Sequence, residues 1–271
     1  MAENEIKRVE STVSYKGKSY RYFDMGTGDV SIVLVHGLLN SAEMLIYAGE
    51  ILSKKYRVII PEIPGHMGMS LFNIDSLESL AEYYRQLLEI LEIQNYFMTG
   101  YSLGGLISLK FAEKYEHGNG LRGVVCWASP LIGMSKNVKA LAGWAKRIPE
   151  NIFNAVLEPV QLLKLTRSIG KHLPRNEMIA ISKMNKIAVN RLLGWIEHAS
   201  FQTIPYTPKL FIYGTDDNIV PSADAKTVVE EFGSSSELVV IESGGHGGTR
   251  EGHLAAVAKL SDFVERHSKI R

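Results

Sequence analysis

The feature that most constrains the fold is an alternation of short β-branched or aromatic runs with longer stretches of helical period. YRYFDM (20–25), SIVLVHG (31–37), YRVIIPE (56–62), YFMTGY (96–101) and LRGVVCWA (121–128) read as strands. Between them, 41–54, 75–92 and 104–116 read as helices. The stretch 75–92 opens with Asp75 and Glu78 at capping-box spacing and carries apolar residues three and four apart. The Gly-rich turn GTGD between the first two strands predicts an antiparallel start. Strands alternating with helices predict a mostly parallel sheet covered on both faces.

From 131 to 204 the alternation stops. NVKALAGWAKRI, NIFNAVLEPVQLLKL and NEMIAISKMNKIAVNRLLGWIEHA read as helices with no strand between them, and Pro149, Pro159 and Pro174 mark their breaks. The alternation resumes with KLFIYG (209–214), a helix near 222–232, ELVVIES (237–243) and a last helix over 250–267. The expected organisation is an α/β core made of 1–130 and 205–271, with 131–204 as an all-helical cap. In open α/β sheets ligands bind at the carboxyl ends of the strands, so an insertion emerging there would roof the site.

Charge narrows the partners. Thirty basic and 29 acidic residues leave a net charge of +1, which gives no electrostatic case for nucleic acid or an anionic membrane. Cys126 is the only cysteine, so an intramolecular disulfide is excluded, and its apolar run VVCWA predicts a small buried side chain. The start, MAENEIKRVESTV, lacks the apolar core of a secretory signal, and no apolar stretch approaches the ~20 residues that span a bilayer. A soluble, cytoplasmic protein is expected.

GYSLGG (100–105) follows one predicted strand and opens a helix, matching G-x-S-x-G at Gly100, Ser102 and Gly104. A strand that turns sharply into a helix holds its central residue in a strained conformation, where side chains two positions away would clash. Such a turn exposes the Ser102 hydroxyl at a helix N-terminus, whose dipole favours negative charge. A serine hydroxyl needs a base. His117 ends a helix, His253 and His267 lie within the last one, and His172 and His198 belong to the helical insertion. His66 sits in the loop after YRVIIPE. His246, in ESGGHGGT, stands in a glycine-rich loop at the carboxyl end of the last strand and is the candidate base. His36, in VHGLLN, reads as a histidine hydrogen-bonded within its loop. The loop's backbone matters more, because an oxyanion is best held by preorganised N–H donors. Leu103 follows the nucleophile and supplies one; Leu38, with Leu39 as alternative, supplies the other. The base needs an orienting acid. SPLIGMSKN after LRGVVCWA offers none, whereas GTDDNIVP offers Asp216 and Asp217, and spacing does not choose between them.

On these motifs the chain resembles the α/β-hydrolase superfamily from about residue 18 to 268. GYSLGG is similar to the elbow of its serine esterases and thioesterases, SIVLVHG to its oxyanion loop, SGGHGGT to its base loop and GTDDNIVP to its acid loop. The resemblance implies Ser102, Asp217 and His246 as the catalytic triad and no cofactor. One stretch departs: PEIPGHMGMS carries Glu62 as the acid and an extra residue, Met67, inside a motif that borders the pocket. The implied activity is hydrolysis of a carboxylic ester or thioester with an apolar acyl or aromatic group. Leu39, Tyr101, Trp144 and Trp195 are the candidate substrate contacts, and a small molecule is the only partner implied. A C–C bond hydrolase or lyase using the same triad would favour a pocket arginine, for which Arg147, Arg167, Arg175 and Arg191 are available. A receptor-like member with little turnover could keep the same triad.

Overall fold

The computed structural model describes residues 8–71, 73–118, 120–131, 136–158, 175–184, 186–246 and 249–268. The strands are β1 (Arg8–Tyr15), β2 (Lys18–Met25), β3 (Ser31–Val35), β4 (Arg57–Pro61), β5 (Tyr96–Tyr101), β6 (Leu121–Trp127), β7 (Lys209–Gly214) and β8 (Ser236–Ile241). They form one sheet in the order β1-β2-β4-β3-β5-β6-β7-β8. From β4 to β8 every pairing is parallel. β5 therefore lies in mid-sheet, and the ends of β3, β5, β6, β7 and β8 open on the same side.

The antiparallel start takes a different form from the expected one. β2 pairs with β1, an N-terminal strand the sequence reading left unassigned, through a two-residue turn with Lys16 and Gly17 both at positive φ. Its other neighbour is β4, with Tyr22 opposite Pro61, so β2 and β3 do not pair. The GTGD connection is not a hairpin turn because it runs along the chain at 53–57. A Cβ on Gly26 would lie 2.3 Å from the Tyr56 carbonyl oxygen.

Helices α1 (Ile46–Leu52) and α9 (Arg250–Ser268) cover one face, where Phe97, Val125 and Ile212 of the sheet meet Leu52, Leu260 and Phe263. On the other face lie α2 (Leu77–Ile90), α3 (Leu103–Tyr115) and α8 (Ala225–Phe232), joined to Val33, Met98, Val124 and Phe211. Burial of each such large side chain contributes about 1.5–3 kcal/mol. Helix α2 does have a capping box, but one residue later than predicted. Ser76 accepts from the Ser79 N–H, and Ser79 Oγ accepts from the Ser76 N–H. Asp75 and Glu78 satisfy the same spacing, yet Ser76 is the residue whose extended backbone precedes the first helical turn.

Among the described residues between β6 and β7 there are only helices: α4 (Lys136–Arg147), α5 (Glu150–Leu157), α6 (Arg175–Ser182) and α7 (Lys186–Glu197). The last predicted helix is two, separated near Met184. Pro149 caps α5, while Pro159 and Pro174 lie outside the described residues. Phe153, Leu157, Leu192, Leu193 and Ile196 belong to the same apolar cluster as α2 and α3, so much of this segment's apolar content is packing. The return leg to β7 is held by side chains of α3 and of Glu116, which caps its end. Lys110 donates to the Ser200 carbonyl, Glu113 accepts from the Gln202 and Thr203 N–H groups, and Glu116 accepts from the Thr207 N–H and hydroxyl.

No described helix is long and apolar enough to cross a membrane.

Candidate active site

Ser102, between β5 and α3, takes φ 53° and ψ −118°, a conformation that costs on the order of 1–3 kcal/mol and that surrounding structure must enforce. The enforcement is steric. A Cβ on Gly100 would sit 2.0 Å from the Gly104 carbonyl, and one on Gly104 would sit 2.2 Å from the Val35 carbonyl oxygen. The first turn of α3 is thus pressed against both β5 and the end of β3. The Ser102 N–H donates to the Trp127 carbonyl at 2.8 Å, tying the turn to the neighbouring strand as well.

Two loops arrive from the far side. Asp217 is 4% exposed, and its Oδ1 accepts from the N–H groups of Ile219 and Val220, each at 2.8 Å. Its Oδ2 lies 2.9 Å from His246 Nδ1. Asp216 is exposed and bonded to the Thr215 hydroxyl. The pair that spacing leaves symmetric is therefore asymmetric in space. The loops meet because Gly214 and Gly244 nearly touch: a Cβ on Gly214 would lie 2.0 Å from the Gly244 carbonyl oxygen. The Asp216 N–H donates to that same carbonyl, and the Ser243 N–H donates to the Thr215 hydroxyl. With Nδ1–H given to Asp217, His246 keeps an unprotonated Nε2, the form a general base requires.

The Tyr101 ring joins these parts, with its centroid 5.1 Å from that of His246 and 5.4 Å from that of Trp127. Gly37 packs on the Ser102 side chain, bringing the HGLLN loop to the elbow. In that loop Leu39 takes φ 60°, unusual for a branched residue, while Leu38 and Leu39 are half-buried. Leu103 is the first residue of α3, where N–H groups have no intrahelical partner.

His36 is buried with Nδ1 2.8 Å from the Gly37 carbonyl oxygen, as a loop-bonded histidine should be. Its Nε2 accepts from the Ile63 N–H at 3.0 Å, and beside that bond stands a neighbour the sequence reading missed. Glu62, at the end of β4, puts Oε1 2.7 Å from His36 Nε2 and Oε2 3.3 Å from the Ala42 N–H. Both groups stand at the carboxyl ends of adjacent parallel strands, and only the strand order makes them neighbours. His66 packs edge-on against His36, and burial, followed by the neighbouring His36, holds its pKa well below the ordinary value. The extra residue Met67 takes a left-handed conformation at the tip of the turn, flanked by Gly65 and Gly68 at positive φ.

Other candidates lie elsewhere. Trp144 is exposed and stacks near Phe153, and Trp195 lines an open groove with Lys110 and His198, so neither borders the cavity next to Tyr101. Arg191 lines open grooves against α2, and Arg147 is exposed. Arg167, His172 and the Arg175 side chain fall outside the described residues. His117 is exposed, and His267 pairs with Glu237. Cys126 is buried, which pushes its thiol pKa up and makes it inert.

Known proteins give the arrangement its context. The chain is 23% identical over 261 residues to a dihydrolipoyllysine-residue acetyltransferase component of the acetoin cleaving system of Pseudomonas putida, covering 93% of this chain and 68% of that one. It is 24% identical to the (E)-2-((N-methylformamido)methylene)succinate hydrolase of Acinetobacter baylyi, over 84% of this chain and 88% of that one. An esterase structure from Exiguobacterium antarcticum superposes with a TM-score of 0.76 at 18% identity, covering 95% of this chain and all of the other. The family model described as the alpha/beta hydrolase fold matches residues 30–249, and with the sheet order and elbow above, the chain belongs to the α/β-hydrolase fold family.

Proposed function

We propose that the chain is a serine hydrolase of carboxylic esters or thioesters. The observation that carries this reading is the 2.9 Å contact between His246 Nδ1 and Asp217 Oδ2, at the sheet edge where the Ser102 elbow ends. Ser102 Oγ attacks the acyl carbonyl while His246 Nε2 takes its proton. Asp217 fixes the imidazole tautomer and stabilises the imidazolium that forms. The N–H groups of Leu38 and Leu103 hold the oxyanion. His246 then returns the proton to the leaving group, and water attacks the acyl-enzyme to release the acid and restore Ser102. The helices of 131–204 act as a cap over this site.

The named relatives support hydrolysis more than any one bond type. One is a hydrolase and one an acetyltransferase component, and both sit at identities that leave the substrate open. The described arginines of the insertion, Arg147 and Arg191, stay away from the cavity beside Tyr101, which weighs against a reaction needing an anion binder there. The test is labelling by a fluorophosphonate. The wild type should label at Ser102 and Ser102→Ala should not, while p-nitrophenyl ester turnover falls on the order of 10⁴-fold or more. Labelling that survives Ser102→Ala rejects the assignment.

A further inference from the structure

One cavity beside the elbow has an acid in its wall that the hydrolytic machinery does not use. It measures about 60 Å³, room for a few water-sized groups and so for a compact headgroup. Asn40, Tyr47, Tyr101, Trp127, Glu177 and His253 line it. The link to the elbow is Tyr101, which precedes Ser102 in the chain, lines the cavity and has its ring centroid 5.1 Å from that of His246.

Its lining has an unusual electrostatic character. Glu177 comes from α6, which packs on the 3-10 turn at Ala42–Leu45, and is half-buried. Among the described residues it has no hydrogen-bond or ion-pair partner, and burial alone raises its pKa above the ordinary carboxyl value. A carboxylate partly withdrawn from water and left without a partner gains from the arrival of a counter-charge. Met44, Leu45, Ala48 and Val257 make part of the wall apolar, and the rest is aromatic: the Trp127 ring lies between Tyr101 and His253, at 5.4 and 5.2 Å. Aromatic faces attract cations. Tyr47 already carries one, the exposed Arg250, whose guanidinium carbon is 5.5 Å from its ring centroid. Burial lowers the pKa of His253, so it is uncharged at neutral pH and does not repel a cation.

The geometry points to this cavity as the subsite for an ammonium group carried by the substrate, with Glu177 as its counter-charge and Tyr101 and Trp127 as its walls. This rests on the hydrolase reading for the word substrate, but the site itself is tested without turnover. Choline and its neutral tert-butyl analogue have the same shape and differ in charge. Titration calorimetry on the wild type should show choline binding at least tenfold tighter, and Glu177→Gln should bring the two to parity with an unchanged melting temperature. In the second arm, p-nitrophenyl esters ending in trimethylammonium or in tert-butyl are compared by kcat/KM. The ratio should favour the cation tenfold or more in the wild type and fall towards one in Glu177→Gln.

Equal binding of the two probes to the wild type, binding of neither, or a preference that persists in Glu177→Gln overturns the subsite. Failure of the hydrolase reading looks different: neither ester is cleaved and Ser102 is not labelled, while the calorimetric preference for choline stands.

Discussion

The loop after β5 and the loop after β7 each present one functional group at the same edge of the sheet, but they are built on different principles. The first is held by contact. Gly100 and Gly104 let three backbone segments close to distances that no side chain would permit, and Ser102 is forced to positive φ as a result. The second is held by hydrogen bonds, with Asp217 Oδ1 gathering the N–H groups of Ile219 and Val220 and leaving Oδ2 for His246. A contact-built turn fails when atoms are added. A bond-built loop fails when a particular oxygen is removed.

Substitutions separate these two modes. The largest effect is expected for Gly100→Ala or Gly104→Ala, where the new methyl would overlap main-chain atoms that cannot move aside. A loss above about 4 kcal/mol, read as collapse of the melting temperature or of soluble yield, is expected. A variant that melts within a few degrees of wild type would break the contact-built account. Asp217→Asn comes next. The amide oxygen can still accept from Ile219 and Val220, so stability should hold, but the amide group cannot fix the same His246 tautomer. Ester turnover should fall about 10⁴-fold. Asp217→Ala should lose the same activity and in addition about 1–3 kcal/mol of stability, because two N–H groups are left without an acceptor. Equal melting temperatures for these two variants would show that the Oδ1 bonds do not hold the loop.

Smaller effects test the join between the acid and base loops. Thr215→Val removes the hydroxyl that accepts from the Ser243 N–H, and chemical denaturation should show a loss of about 1 kcal/mol. Asp216→Asn is expected to change stability by no more than about 0.5 kcal/mol and turnover by no more than about twofold, as for an exposed loop residue. If its rate loss matched that of Asp217→Asn, the assignment within the pair would be wrong.

Legibility in the sequence followed the same division. The elbow was readable because its glycines, serine and flanking periodicities are consecutive in the chain. The seven strands from β2 to β8 were readable from their apolar runs. β1 was not: RVESTVSY is polar and charged, and it exists as a strand only because β2 offers an edge. The choice between Asp216 and Asp217 needed the family pattern, since which carboxyl turns inward depends on the approach of Gly244, 27 residues after Asp217 in the chain. Glu62 beside His36 depended on β3 and β4 being adjacent. Glu177 carried no signal at all, because the cavity it borders is assembled from α1, β5, β6, α6, α9 and the 3-10 turn before α1, which are scattered along the chain. Trp144 and Trp195 had the composition of substrate contacts; in the fold Trp144 is exposed beside Phe153 and Trp195 packs partly buried against the cluster of α2 and α3.

The hold of α3 on the return leg has a consequence for how the family can vary. Lys110, Glu113 and Glu116 grip carbonyl and N–H groups of Ser200, Gln202, Thr203 and Thr207, and only the Thr207 hydroxyl among these contacts depends on a side chain of the leg. The clasp therefore recognises a length of chain and not a text. Ser200 is thus a natural splice point for exchanging the helices upstream of it, provided the new ones repeat the apolar face by which Leu192, Leu193 and Ile196 join the cluster of α2 and α3.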